Sequence, residues 1–554
     1  MSAGITPRLH KQRIAIFFFL GLLVVATIYG AWYANYTMSG NSDDIIYPYL
    51  FGHFTFHDII LPSQHSNILK FPLYVLQSIL PYTFTTFSIV NIGLVLLTVV
   101  GWAVGLAWLF GKRYLPLICT ALLAILLGSQ FFDGDLLGTT ARNIEYLIAL
   151  AFIIYMGILL SAGRMTKPIK IAGLVLGLLY SLTLAGDSFF LYTISAAIFA
   201  VTIFLWLTNI KGFDRKHLSF VMGYFIGVNI LAIVIREAVK VLGISNYFTD
   251  PVFLPHILPL SHIGPSVSTA TIQVFDMFNA NIFGKQIRPG NSLIFLNFLL
   301  LLSGLVGFIY ILRDLVRATG RKMLLKYMSF AQVFTLGVLA VAAFLVYGIY
   351  IMSDLVVIQN QAGQIVSAHQ ERYLTMLPLA LIAGIAYLVW RNFRARASIV
   401  VAPALVILLV VLVNVPVILR AHTYDAGLRA GPIAVAQAVQ DNHASVLVSG
   451  YWYGAATRFW SHNRLVFASV SSCNVPTPPI NTRLSWYRPD PTVHKSALLL
   501  DRNGIDAFYS SCTDQQLTNI YGKPTRIISI KTADQPSLWL YNYDIRSKLA
   551  PFTH

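Results

Sequence analysis

The chain is 554 residues long, 56% hydrophobic and only 11% charged, with a mean hydropathy of +0.68. Soluble globular domains carry about a quarter charged residues, so composition excludes a soluble protein and implies one built for a bilayer. The formal net charge of +17 would suit nucleic acid, but its distribution along the chain excludes that partner.

Apolar runs long enough to cross a bilayer as helices recur about eleven times. They cover approximately 14–34, 86–110, 114–131, 144–162, 171–186, 190–209, 218–236, 291–312, 328–350, 373–390 and 398–419. The first follows Arg8, Lys11 and Arg13, a basic stretch like the start of a signal peptide. It is too long for one, and no small-residue cleavage site follows, so it reads as a retained first span. The fifth is short and is broken by Gly186-Asp187.

Basic residues gather on alternate connections: Lys112 and Arg113; Arg164, Lys167 and Lys170; Lys211, Arg215 and Lys216; Arg313, Arg317, Arg321, Lys322 and Lys326; Arg391, Arg394 and Arg396. The positive-inside rule makes that side cytoplasmic, which puts the N-terminus inside and the tail after the eleventh span outside. Acids sort the opposite way. Before residue 421 only Asp214 and Asp314 lie on the basic side, and all others, from Asp43 to Glu371, face out. Topology does not require this, because acids contribute little to it. The outer face is therefore selectively enriched in carboxylates, and chemistry is expected there.

The first outer connection, roughly 35–85, opens Ser42-Asp43-Asp44-Ile45-Ile46-Tyr47. Adjacent carboxylates at a membrane edge repel one another and are rare there without a role; the alternative is a pair of solvated loop acids. On a helical turn their side chains diverge by about 100°, so one can face a cavity while the other is held by a donor. His53, His57, Asp58, His65 and Lys70 follow, a dense set of proton-transferring and cationic groups. In the second outer connection Asp133 and Asp135 flank Gly134. They form either a hard-cation site or a solvated turn. Arg142 opens the next span, placed either to clamp a phosphate or to pair with Glu145. Asp187 sits at a hairpin apex, lining the same cavity or capping the next helix. The long connection 237–290 is punctuated by Pro and His, as loops that cover a site often are. Before the tenth span comes His369-Gln370-Glu371-Arg372-Tyr373, where Arg372 is either a lipid-phosphate binder or an interfacial anchor. No P-loop, GxGxxG, GxSxG or HExxH pattern occurs, so ATP-driven transport and serine hydrolysis lack a motif.

The domain division expected is a transmembrane domain over 1–420 and an extracytoplasmic domain over 421–554. In the tail, helical spacing at Ile433–Gln440 precedes strand patterns at 445–448, 465–470, 505–509, 525–530 and 537–541, with a helix at 515–521. Alternating helix and strand signals predict a small α/β domain. Cys473 and Cys512 both fall in it, where an oxidising compartment would permit a disulfide; two free thiols are the alternative. Tyr451-Trp452-Tyr453 and Trp460 serve either a core or stacking on sugar rings.

Asp43-Asp44-Ile45-Ile46-Tyr47, opening a long outer loop after the first span, resembles the GT-C superfamily of membrane glycosyltransferases. These include the protein O-mannosyltransferases, the aminoarabinose transferases of lipid A and the mycobacterial arabinosyltransferases. The acidic connection with Asp133 and Asp135, the run Arg142-Asn143-x-Glu145 and the run Glu371-Arg372-Tyr373 are also similar, as is the plan of many spans followed by an outer soluble domain. The resemblance implies an α-helical polytopic fold and transfer of a sugar from a polyprenyl-phosphate donor, with inversion, to a glycan, lipid or protein acceptor of the cell envelope. It implies Asp43 as general base and Asp44 as its positioning neighbour. Arg142, Arg372, His65 and Lys70 are the candidates for cationic stabilisation of the phosphate. A divalent cation at Asp133 or Asp135 stays open, since some members use one. The setting implied is a bacterial inner membrane. Alternatives are a transporter or flippase of polyprenyl-linked glycans, and an O-antigen ligase or polymerase type of enzyme.

Overall fold

A computed structural model describes residues 7–37, 50, 57–62, 68–80, 84–128, 142–161, 166–208, 215–244, 246–248, 256–286, 288–318, 328–359, 365–367, 371–392, 398–422, 430–462, 464–477, 482–501, 512–532 and 535–551. Each of the expected apolar runs coincides with a helix. In chain order these are α1 (Pro7–Thr37), α2 (Phe84–Phe110), α3 (Leu115–Gly128), α4 (Ile144–Ser161), α5 (Lys167–Gly186), α6 (Ala196–Leu207), α7 (Arg215–Val241), α8 (Ser292–Ala318), α9 (Phe330–Ile351), α10 (Met376–Asn392) and α11 (Ser398–His422). Among the described residues 7 helices, α1, α2, α4, α5, α7, α8 and α9, are long and apolar enough to cross a membrane, and α10 and α11 are shorter apolar helices. The chain is a multi-pass membrane protein. The fifth run is longer than its sequence suggested, because Pro168 sits in the first turn of α5, where a missing N–H costs nothing.

The spanning helices are apolar around most of their circumference, as helices between lipid and neighbours must be. Several of the buried hydroxyls in the apolar helices are satisfied within the helix. Thr120 and Thr335 each donate to the carbonyl one turn back, at 2.9 Å and 2.8 Å, and so need no outside partner. A capping box of Ser329 and Gln332 starts α9. Gln332 Nε2 then reaches the carbonyls of Trp108 and Leu109, at 3.1 Å and 2.9 Å, and satisfies the last turn of α2. Helices α8 and α10 meet at glycines: a Cβ on Gly307 would lie 2.0 Å from the Gly384 carbonyl oxygen. Backbone-to-backbone packing of this kind is how helices associate where lipid removes the hydrophobic drive.

The chain forms two compact units, one of Met1–Trp32, Ile92–Ile233 and Val252–Ala421, the other of Tyr33–Asn91, Val234–Pro251 and His422–His554. The second is built on strands. β1 (Ile59–Pro62) pairs parallel with β2 (Asn246–Phe248) and antiparallel with a later strand at Thr482–Arg483. The short hairpin β3 (Val357–Gln359) and β4 (Ile365–Ser367) belongs to the first unit. The main sheet contains β5 (Val446–Ser449), β6 (Val466–Ser472), β7 (Val475–Pro476), the Thr482–Arg483 strand's successor Ser496–Leu500, and the strands Arg526–Ser529 and Ser537–Tyr541. Numbering Thr482–Arg483 as β8 makes these last three β9, β10 and β11, and the sheet order is β10-β11-β9-β5-β6-β7. Strands β6, β5 and β9 are parallel, and β7, β11 and β10 are added antiparallel.

Side chains on these strands alternate between two cores. Val446, Val448, Leu498, Leu500, Trp539 and Tyr541 enter one. Leu447, Ala497, Leu499, Leu538 and Leu540 enter the other, beneath the helix α12 (Ala430–Asp441). The first core also takes Leu50, Ile59 and Tyr74 from the first long connection, together with Leu517 and Tyr521 of a helix at Asp514–Tyr521. A helix at Tyr451–Trp460 lies between β5 and β6, and its Tyr453 is buried in the second core. Cys473 and Cys512 are disulfide-bonded. The strand expected over 505–509 lies outside the described residues.

Candidate functional site

Of the expected site residues, Asp43, Asp44, His65, Asp133 and Asp135 lie outside the described residues. Arg372 has a described backbone, in the turn Glu371–Leu374. Lys70 and Arg142 are described in full, in different units.

Arg142 stands two residues before α4. Asn143, just before the helix, accepts the Ile144 N–H through Oδ1 at 2.7 Å. The carboxylate that Arg142 meets is Asp187: Arg142 Nε donates to Asp187 Oδ2. Asp187 follows α5, its own N–H donating to the Thr183 carbonyl at 2.9 Å. Its Oδ1 accepts the Phe189 N–H at 3.0 Å, the Asx-type turn that Asp makes after a helix end. One oxygen therefore shapes the hairpin and the other holds the arginine. The bond to the Phe189 N–H agrees with the reading of Asp187 as a cap for the helix that follows.

The guanidinium also lies against two rings, with Cζ 4.8 Å from the centroid of Phe189 and 4.7 Å from that of Tyr373. The rings meet edge to face at 5.7 Å. Cation–π contacts strengthen when desolvated, and Arg142 is only 8% exposed. Burial, the largest single influence, opposes its charge, but Asp187, Tyr146 and Tyr373 together outweigh it and the guanidinium is held more firmly protonated than usual. With Nε committed to Asp187, Arg142 Nη2 is buried and has no hydrogen-bond partner among the described residues. A buried N–H left without an acceptor is costly, so this nitrogen is a donor waiting for one.

The segment behind the rings is irregular too. Leu191–Ser195 is a turn of π-helix, a feature frequent at functional sites. Thr193 Oγ1 donates to the Phe189 carbonyl at 2.7 Å, and Tyr180 hydrogen-bonds Ser195 at 3.0 Å. Glu145, one turn from Arg142, is buried.

In the second unit, Asp58 is taken up by structure. It accepts Arg483 Nε at 2.8 Å, the Ser485 N–H at 2.7 Å and the Ser485 hydroxyl at 2.8 Å, clamping β1 to the chain around β8. His57 has φ 60 and its N–H donates to the Gly243 carbonyl at 2.6 Å. Lys70 is 2% exposed, at the start of a helix over Phe71–Ile79. Among the described residues no group of three or more His, Cys, Asp or Glu side chains is placed to hold a metal ion.

No family model matches the chain, and no curated protein sequence matches it. Solved structures do. ArnT from Cupriavidus metallidurans in the apo state aligns with a TM-score of 0.51 at 9% identity, over 96% of this chain and 99% of that one. The chain carries the GT-C fold. The same ArnT bound to undecaprenyl phosphate gives a TM-score of 0.47 at 10% identity, over 96% and 99%. The Archaeoglobus fulgidus oligosaccharyltransferase, in complex with Zn and sulfate, gives 0.43 at 14% identity, over 80% of this chain and 61% of that one.

Within the GT-C fold, sequence reasoning found Arg142 but missed what holds it. Phe189 was not singled out, and Tyr373 entered only as the neighbour of Arg372 in the run Glu371-Arg372-Tyr373. The available signal was local: Asp187-Ser188-Phe189-Phe190 puts a carboxylate and two rings on a hairpin that would otherwise need only turn residues.

Proposed function

We propose that the chain is a membrane glycosyltransferase that moves a sugar from a polyprenyl-phosphate donor to an acceptor hydroxyl of the cell envelope. Transfer takes place at the outer face of a bacterial inner membrane and inverts the anomeric centre. The observation that carries this reading is the donor nitrogen of Arg142, a buried guanidinium anchored by Asp187 and two rings with Nη2 unused. Such a group suits a phosphate that gains negative charge as its bond to the sugar breaks. ArnT, which shares the fold, is a protein that binds undecaprenyl phosphate, a lipid of this donor class.

In the reaction the acceptor oxygen forms a bond to the anomeric carbon as the bond from that carbon to the phosphate oxygen breaks. The bonding pair leaves with the polyprenyl phosphate, whose charge Arg142 meets. The acceptor proton passes to a carboxylate, assigned to Asp43, with Asp44 positioning the acceptor. Lys70, His65 and Arg372 are further cations for the donor, and Asp133 and Asp135 are the acids the sequence offers to the acceptor or to a divalent cation.

The test is transfer of radiolabelled sugars from polyprenyl-phosphate donors by membranes carrying the protein, with and without a chelator. Asp43→Asn is expected to lower transfer by about 10²–10⁴-fold while leaving donor binding intact. Undiminished transfer by that variant removes Asp43 as base. No transfer by the unaltered protein with any donor points instead to transport of a polyprenyl-linked glycan.

A further inference from the structure

A second charged site lies at the other end of α10, the helix that follows Tyr373 of the first. Tyr373, which stacks on Arg142, immediately precedes α10, and Arg391 ends that helix. At 1.5 Å per residue the two ends lie roughly 23 Å apart along the axis, most of the thickness of a hydrocarbon core. There Arg391 meets the last turns of α8. Its Nε donates to Asp314 Oδ2 at 2.9 Å, and the Tyr387 hydroxyl donates to the same oxygen at 2.9 Å. Arg313 takes the other oxygen, with Nη2 at 3.2 Å and Nε at 3.3 Å from Oδ1. Both guanidinium carbons rest on the ring of Tyr310, 4.5 Å away for Arg313 and 4.3 Å for Arg391.

The charges do not balance. Two guanidiniums share one carboxylate whose oxygens are both occupied, which leaves one positive charge. The donors do not balance either. Among the described residues Arg391 donates through Nε alone, and Arg313 Nη1 has no acceptor. Asp314 is mostly enclosed, its side chain 15% exposed, whereas Arg391 and Arg313 are 27% and 34% exposed. The carboxylate is therefore the enclosed partner and the guanidiniums the more exposed ones, at the end of the apolar run of α8. Arg317, one turn beyond Arg313, adds an exposed cation on the same face. An ion pair needed only to join α8 to α10 would require a single arginine.

We infer that Arg313, Asp314 and Arg391, set on Tyr310, form a binding site for the phosphodiester headgroup of an anionic membrane lipid. A phosphodiester carries the single negative charge that the site lacks, and its two free oxygens match the parallel N–H pair of a guanidinium. Basic pockets between spanning helices recognise anionic headgroups in this way. A free phosphate ion shares the oxygen chemistry but not the acyl chains, which would lie along the exposed apolar faces of α8, such as Leu302, Val306 and Ile309. The site is independent of the proposed transfer reaction.

The experiment is native mass spectrometry and thermal unfolding of the full chain in detergent. The probes are phosphatidylglycerol, phosphatidylcholine of the same acyl chains, and inorganic phosphate. Phosphatidylglycerol is expected to be retained on the protein and to raise its Tm, with phosphatidylcholine and inorganic phosphate producing no such shift. Arg391→Lys keeps the charge and the contact with Asp314 but removes the fork. It is expected to weaken phosphatidylglycerol retention about tenfold while leaving the lipid-free Tm near that of the unaltered chain. Arg313→Gln, which leaves Arg391 paired with Asp314, is expected to do the same. Equal retention of phosphatidylglycerol by both variants, or an equal response to phosphatidylcholine or to inorganic phosphate, overturns the assignment.

Discussion

Asp187 does two things with two oxygens, and this makes its effect on Arg142 separable from its effect on the hairpin. Asparagine at this position keeps an acceptor for the Phe189 N–H but turns an amide toward the guanidinium in place of a charge. Breaking a buried pair in this way leaves an uncompensated cation, a loss of about 3–5 kcal/mol when the site is fully dry. The Arg142 side chain, 9% exposed beside an Asp187 side chain 11% exposed, is near that limit. Asp187→Asn is therefore expected to lower donor kcat/KM about 10- to 100-fold, with Asp187→Glu restoring part of it. In a cycle with Arg142→Lys the two losses should not add, because both act on one guanidinium. Additive losses would place Asp187 in the hairpin alone. The same accounting thins the outer acids as candidates for the base. Asp58, Asp187, Asp276 and Asp354 all have structural hydrogen bonds, to Arg483 and Ser485, Arg142 and Phe189, Asn281, and His256 respectively. Sequence offers an expected side of the membrane for each acid, but not whether a distant residue already holds it. Arg483 lies 425 residues from Asp58.

At the scale of elements, the spans were legible because lipid imposes one rule, a long apolar run, that needs no partner to be read. The strands were legible where β-branched residues fill them: Val446–Ser449 and Val466–Ser472 follow their patterns closely. Ser496–Leu500 was not. Its Ala-Leu-Leu-Leu has no β-branched residue and reads as helix, yet all five of its residues are buried, since a central parallel strand is covered on both faces. Helix Tyr451–Trp460 was obscured by its aromatics, which were read as serving a core or stacking on sugars and not as a helix. The contact between α8 and α10 was invisible for another reason: a glycine in an apolar run shows nothing of the backbone it will touch. A Cβ on Gly384 would lie 2.3 Å from the Gly304 carbonyl oxygen, so the helices must separate to admit one. Gly384→Ala is expected to cost about 1–3 kcal/mol, measured as a lowered Tm of the purified protein in detergent. Gly290→Ala, just before α8 and with nothing within 4 Å of its Cβ, is the matched control expected to change little.

At the scale of the whole molecule, the strand-built unit is discontinuous in sequence. The strands of its main sheet all come from the tail, but one of its two cores is completed by Leu50, Ile59 and Tyr74 of the first long connection, each with no exposed surface. β1, in the same connection, pairs with both β2 and β8, and Asp58 fixes that register through Arg483. A long outer connection that looked, by its His and Asp content, like an active-site loop thus also serves as part of a fold. The consequence is testable on fragments. Residues 422–554 alone would expose the face of β5, β9 and β11 that these side chains cover, an apolar surface large enough to drive association. The isolated tail is expected to bind ANS, to lack a sharp near-UV circular dichroism signal and to aggregate. The same tail joined through a flexible linker to residues 33–80 should give a monomer with a cooperative thermal transition. A tail that folds cooperatively by itself would mean that Leu50, Ile59 and Tyr74 rest on a finished domain, and that the first connection is free to move without unfolding it.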